Sequence, residues 1–153
     1  IPNQSHLIQK KLFDVHTQFF ASRDYLLKYG IPHRPEDLDH HRLITYRQAS
    51  YYSSFRSTSL LINVGRSSQY PRQSHFQVDS LHGMISATLN GYGISELPDF
   101  PSILNSGLQL VLPQIKGENI PLHYIFHKNR KNSQKIKVLY DFLMNELNSQ
   151  HNQ

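Results

Sequence analysis

The stretch NGYGISELPDF, residues 90–100, decides the fold class, because its two glycines admit two opposite readings. A turn that cradles phosphate runs strand, glycines, helix, so that free N–H groups and the positive end of the helix dipole face the anion. Here the order is reversed. Upstream, Leu81, Met84, Ile85 and Thr88 recur at helical spacing and Leu89 widens the stripe. Asn90 and Gly91 supply the left-handed residues that end a helix, and Ile94-Ser95-Glu96-Leu97 reads as a short strand stopped by Pro98. Glu96 also occupies the position where a third phosphate-loop glycine is required. The glycines close a helix and open a strand.

Outward from this stretch, strands and helices alternate. Leu7 to Phe20 reads as two extended segments with Asp14 between them. Ser22 is placed to cap a helix over Arg23 to Tyr29 that Gly30 stops, and Pro35-Glu36-Asp37-Leu38 has the composition of a first helical turn. Leu43 to Tyr46 is a strand. Residues 47–73, rich in Ser, Tyr and Arg, are expected to form an antiparallel excursion around Phe55 and Leu60-Leu61-Ile62. His75 to Val78 is the next strand, and Asp79 or Ser80 caps the helix already described. After Ile94 come a short helix from Pro98 to Ser106, ended by Gly107, and strands at Leu108 to Leu112 and Leu122 to His127. Ile136, Leu139, Tyr140, Leu143 and Leu147 then mark one face of a helix over about residues 134–148. This alternation predicts an α/β protein with parallel strand pairs.

A length of 153 residues suits about one domain. Hydrophobic content of 38% and charged content of 18% are ordinary for a globular chain. No apolar run approaches a membrane span, and no secretion signal opens the sequence. The start at Ile1 rather than Met points to processing or to a cut from something longer. With zero cysteines there are neither disulfides nor thiolate metal sites, which is compatible with the cytoplasm. The net charge of +5 raises nucleic acid as a partner, but only Lys128 to Lys137 is densely basic, and it reads as a solvated face. No zinc finger, helix-turn-helix pair or aromatic RNA-binding segment is present.

Tests for catalysis fail one by one. His123 and His127 on one strand stand about 13 Å apart, too far to share a metal ion, and no HExxH pattern exists. Ser95 lacks the flanking glycines of a nucleophile elbow. Asp79 and Glu96 form an acid–base pair only if their strand ends are neighbours; otherwise Asp79 is a cap and Glu96 a solvated strand residue. What remains is a binding architecture. Several strands end at helix starters, namely Ser22 after Phe20, Asp79-Ser80 after Val78, and Pro98-Asp99 after Leu97, and in open α/β sheets ligands collect outside the carboxyl ends of strands. Free N–H groups and hydroxyls there suit a small carboxylate or another anion.

Four segments carry a family resemblance. ASRDYLLKYGIPHRPEDLDHHRLITY (residues 21–46) resembles A-S-x-x-Y-L-x-x-x-G-x-P-x-x-P-x-D-L-x-x-H-x-L-x-Y of the effector-binding domain of LysR-type transcriptional regulators. NGYGISELPDF resembles that domain's G-x-G-I-x-x-L-P-D-F. GLQLVLPQIKGENIPLHYIFHKNRKNSQKIKVLYDFL (residues 107–143) is similar to its closing segment, and IPNQSHLIQKKL (residues 1–12) to its entry. Arg23 departs from a common proline, the usual middle-strand tryptophan is missing with Phe55 as its stand-in, and residues 47–73 match poorly.

The resemblance implies an α/β fold of the type 2 periplasmic-binding-protein kind. It implies a complete second lobe over about residues 13–118, with first-lobe remnants at about 1–12 and 120–149. It also implies a winged helix-turn-helix DNA-binding domain that this chain does not contain. The expected function is effector sensing: a small molecule held between lobes controls DNA binding by the parent protein, a cytoplasmic homo-oligomer without cofactor, metal or catalysis. The cleft residues it suggests are Phe20, Ala21, Ser22, Val78, Asp79, Ser80, Glu96 and Pro98. Ser22 and Ser80 are then hydrogen-bond donors, and Asp79 an acceptor or cap. The rival is the solute-binding lobe of a transport receptor, which shares the fold, and a small enzyme using Asp79 and Glu96 is a third reading.

Overall fold

The computed structural model describes residues 5–47, 60–67 and 69–151. The chain divides into two compact units, His16–Glu118 and a terminal unit of Ile1–Val15 with Asn119–Gln153. Among the described residues, one mixed sheet has the strand order β3-β2-β4-β1-β5, and β6 pairs with β1. Its strands are β1 (Leu7–Ala21), β2 (Leu43–Tyr46), β3 (Phe76–Val78), β4 (Ile94–Pro98), β5 (Gln109–Val111) and β6 (Asn119–His127). β2 runs parallel to both β3 and β4, whereas β1 is antiparallel to β4 and β5. The expected parallel pairs are present, within a mixed rather than a purely parallel sheet.

The core of the larger unit follows from side-chain alternation. Successive strand residues point to opposite faces, and here both faces are covered by helices. Phe19, Ala21, Leu43 and Ile94 pack on one face with Tyr25 and Leu26 of α1 (Arg23–Tyr29), Leu38 of a 3-10 turn (Pro35–His40) and Leu61 of α2 (Leu60–Asn63). Phe20, Ile44 and Leu97 pack on the other with Met84 and Ala87 of α3 (Leu81–Leu89) and Ile103 of α4 (Pro101–Leu104). That two-sided burial accounts for the adjacent apolar pairs Phe19-Phe20 and Leu43-Ile44, whose members face opposite sides of the sheet.

The opening motif owes its glycines to two different constraints. Gly91 takes φ +73°, leaving α3 through the left-handed region. At Gly93 the need is space. Ile94 N–H donates to the Arg42 carbonyl at 2.8 Å, and a Cβ on Gly93 would run into that same oxygen.

Several local expectations shift. Leu7 to Phe20 is one continuous strand, because Asp14 stays within it with its carboxylate 2.6 Å from Lys11 Nζ. Leu60 to Ile62 belongs to the short helix α2, not to an antiparallel strand; the Glu96 carboxylate accepts the Leu61 N–H at 3.3 Å and so favours a helical start. Phe55 and its neighbours lie outside the described residues. The helix expected over Pro98 to Ser106 contracts to α4, since Pro98 remains paired in β4 and Phe100 provides the cap position.

In the terminal unit, α5 (Gln134–His151) forms as its periodicity predicts. Tyr140 lies 5.8 Å from the Tyr124 ring of β6 and under Lys10 Nζ, which is 4.4 Å from its centroid. Leu139, assigned by spacing to the packed stripe, instead lies with Val138 and Phe142 on an exposed face. No described helix is long and apolar enough to cross a membrane.

Candidate functional site

Strand register sorts the expected site residues onto two opposite edges of the sheet. Across β1, β4, β2 and β3, one row reads Phe20, Ser95, Ile44 and Phe76. Gln18, Leu97, Tyr46 and Val78 stand two residues further along. Because β1 runs antiparallel, its carboxyl end meets the amino ends of β2, β3 and β4. Ser22 therefore lies at the opposite edge from Asp79, Ser80 and Pro98. Five rows and three strand spacings separate Ser22 from Asp79, on the order of 20 Å, so one small ligand cannot touch both.

The first three residues have structural roles. Phe20 is 1% exposed and Ala21 fully buried. Ser22 caps α1, its Oγ accepting the Tyr25 N–H at 3.3 Å. The other five gather at the carboxyl ends of β3 and β4. Ser80, not Asp79, caps α3 by accepting the Gly83 N–H at 3.1 Å. Asp79 is exposed, with Arg47 Nε 3.4 Å from its Oδ1. Val78 is half-buried beneath them, and Pro98 is buried opposite Thr17.

Glu96 is not the solvated strand residue of the sequence reading. Thr17 Oγ1 donates to its Oε1 at 2.6 Å while its Oε2 accepts the Leu61 N–H. It shares no proton with Asp79, because β3 and β4 flank β2 on opposite sides and each carboxylate has a partner of its own. The Asp79–Glu96 acid–base pair does not form.

The same edge holds residues that single-sequence reasoning missed. Asp99 Oδ1 accepts the His16 N–H at 2.8 Å, and Asp99 N–H returns a bond to the His16 carbonyl at 2.9 Å. Gly117 N–H donates to the Thr17 carbonyl at 2.8 Å, and any side chain at Gly117 would collide with the Thr17 hydroxyl. His16, Arg47 and Asp99 thus join Asp79, Ser80 and Glu96 in a polar rim that sets N–H donors beside carboxylate acceptors, with Thr17 buried beneath it. No spacing rule announces them, since cross-strand register places them there. Among the described residues no cluster of His, Cys, Asp or Glu could hold a metal ion.

The opposite edge carries a buried network. Arg42 N–H donates to Tyr25 Oη at 2.8 Å, and the same hydroxyl is hydrogen-bonded with His41 Nδ1 at 3.2 Å. Burial lowers the His41 pKa below its ordinary 6.5. The folded state then holds fewer protons than the unfolded chain, so this contribution to stability is complete above about pH 6.5 and declines as pH falls toward the lowered folded value. The melting temperature should drop on acidification from neutral pH to about pH 5. His41→Asn, which keeps an acceptor near the Nδ1 position and does not titrate, should flatten that slope; an equally steep slope in the variant rules His41 out as its source.

Known proteins resemble the chain along nearly all its length. The LysR substrate binding domain family model matches residues 1–148. An HTH-type transcriptional regulator of Xanthomonas campestris pv. campestris is 26% identical over 147 residues, covering 94% of this chain and 43% of that protein. The HTH-type transcriptional regulator CrgA of Neisseria meningitidis is 27% identical over 149 residues, covering 95% of this chain and 48% of the relative. The structure of the CrgA regulatory domain superposes with a TM-score of 0.74 at 25% identity, covering 96% of this chain and 72% of that one. The chain spans somewhat under half the length of the curated relatives it matches.

Proposed function

The chain belongs to the LysR substrate-binding domain family, a family of non-enzymatic regulatory domains, and we propose that it senses a small-molecule effector for a transcriptional regulator. In this reading His16–Glu118 is one lobe, and the terminal unit is the closing part of the other. The parent protein contacts DNA through a winged-helix segment outside this chain, works in the cytoplasm and assembles as a homo-oligomer. The solute-receptor alternative loses ground because the curated relatives are regulators.

The observation that carries the proposal is the polar rim at the carboxyl ends of β3 and β4, the place where open α/β sheets bind ligands. The Arg47 guanidinium suits an anionic effector, with Ser80, Asp79, Glu96 and Pro98 completing the wall. An effector regulates by favouring one lobe arrangement over another, so its influence on DNA binding equals its differential affinity for the two.

Mobility-shift titration of the full-length regulator on its own promoter, with a panel of small mono- and dicarboxylates, tests this. At least one compound should change the apparent DNA affinity several-fold. Arg47→Gln should remove that response while leaving effector-free DNA binding intact. Indifference to the panel, or an undiminished response in Arg47→Gln, contradicts the assignment.

A further inference from the structure

At the edge of the sheet away from the polar rim, the amino ends of β2 and β3 open onto a cavity of about 590 Å³. Leu38, His41, Leu43, Arg66, Tyr70 and His75 are among its lining residues. A volume of this size accommodates a small organic molecule. The cavity lies entirely within the unit His16–Glu118.

Its chemistry selects one class of ligand. The Nδ1 atoms of both imidazoles are engaged within the fold. His41 Nδ1 lies 3.2 Å from the Tyr25 hydroxyl, and His75 Nδ1 accepts the Leu43 N–H at 3.3 Å. A ring whose Nδ1 accepts carries its proton on Nε2, so His75 has an N–H donor and no second acceptor. The charge balance is positive. Asp39 is the one acidic residue among the described residues lining the cavity, and it faces two guanidinium groups.

Of those two, Arg72 is fully engaged. Its side chain is 4% exposed and bonded to Asp39, the Val64 carbonyl and the Pro35 carbonyl. Arg66 is different: its guanidinium bonds only Asp39 among the described residues, through Nε and Nη2, and its side chain is 37% exposed. Arg72 accounts for holding the loop, and Arg66 exceeds that need. Tyr70 and Pro71 supply apolar surface beside these donors.

We propose that this cavity is a second ligand site, which takes a small carboxylate carried on a flat apolar body, with Arg66 and His75 as the donors that orient it. The proposal does not rest on the effector reading, because register places the cavity and the Asp79 rim at opposite sheet edges.

The test is a titration of the labelled 153-residue chain, following the imidazole Cε1–H resonances, with benzoate as probe and benzamide as its uncharged counterpart. Benzoate should shift the His41 and His75 signals saturably. Benzamide should bind about tenfold more weakly, as should benzoate to Arg66→Gln, since each comparison removes a charge-assisted hydrogen bond. Arg66→Lys should stay within a few-fold of the parent, and Asp79→Asn should leave both signals responding as before. The proposal is overturned by absent saturable shifts, by equal affinity for benzamide, or by loss of the response in Asp79→Asn. The benzamide comparison uses the unaltered chain and so holds even where Arg66→Gln fails to fold.

Discussion

Phe20→Ala is expected to destabilise the larger unit by about 3–5 kcal/mol, the range for truncating a buried aromatic ring. The ring is 1% exposed and packs among Ile44, Met84, Ala87, Leu97, Ile103 and Leu108. These neighbours come from two adjacent strands, two helices and a connecting loop, and the sheet cannot close over the vacated space without tearing its ladder. The loss therefore contains the transfer of the ring and a term for the cavity left behind. Urea denaturation of the 153-residue chain measures it as a lowered midpoint at unchanged slope. The same variant separates two roles for Phe20. A cleft residue would leave stability nearly intact and change the effector response, whereas the register and burial described here require the reverse. A loss under about 1 kcal/mol would contradict the core assignment.

Asp39→Ala should cost about 3 kcal/mol, the low end for breaking a buried ion pair, because Asp39 keeps one flank in water. The damage arises at its partner. Arg72, buried between the 3-10 turn and the loop that follows α2, would keep its charge and lose the carboxylate that balances it. Arg66 would lose both of its side-chain bonds as well. Arg66→Ala should cost far less, since that side chain is more open and Asp39 retains Arg72. Equal costs for the two variants would show that the pair with buried Arg72 does not dominate.

Acid provides an independent check on the same residue. The hydrogen bond from Arg66, followed by that from Arg72, holds the Asp39 pKa down to about 2 from its ordinary 3.8. This contribution is complete above pH 3.8 and is lost as pH falls through about 2. The wild type should lose stability in that window, and Asp39→Ala should not show the same increment.

Legibility varied with the range of the interaction that mattered. The helix over Arg23 to Tyr29 was readable at both ends, because a serine cap and a glycine stop act within one turn of the chain. The same is true of α3, from Ser80 to Asn90. The short helix α2 was not readable, since the group that favours its start is the Glu96 carboxylate, distant in sequence. Likewise Asp39 and Arg72 look like ordinary surface charges until folding brings them to 2.6 Å.

The expected site shows the same division. Most of its residues stand at or beside a strand end, as local spacing indicates, with Glu96 in the middle of β4 the exception. Which edge each end belongs to depends on strand direction, and β1 runs against β2, β3 and β4. One reversal sent Phe20, Ala21 and Ser22 to the far side from Asp79 and Ser80, and brought His16 and Thr17 of β1 beside Pro98 and Asp99. Family membership, element order and helix caps were thus encoded in short-range patterns, because caps and periodicities act over a few residues. The composition of the polar rim, the partners of Glu96 and the cavity beside Arg66 came from chain segments meeting across the sheet. Hydrogen-bond pairing between strands sets those meetings, and no local pattern specifies which strands will pair or in which direction.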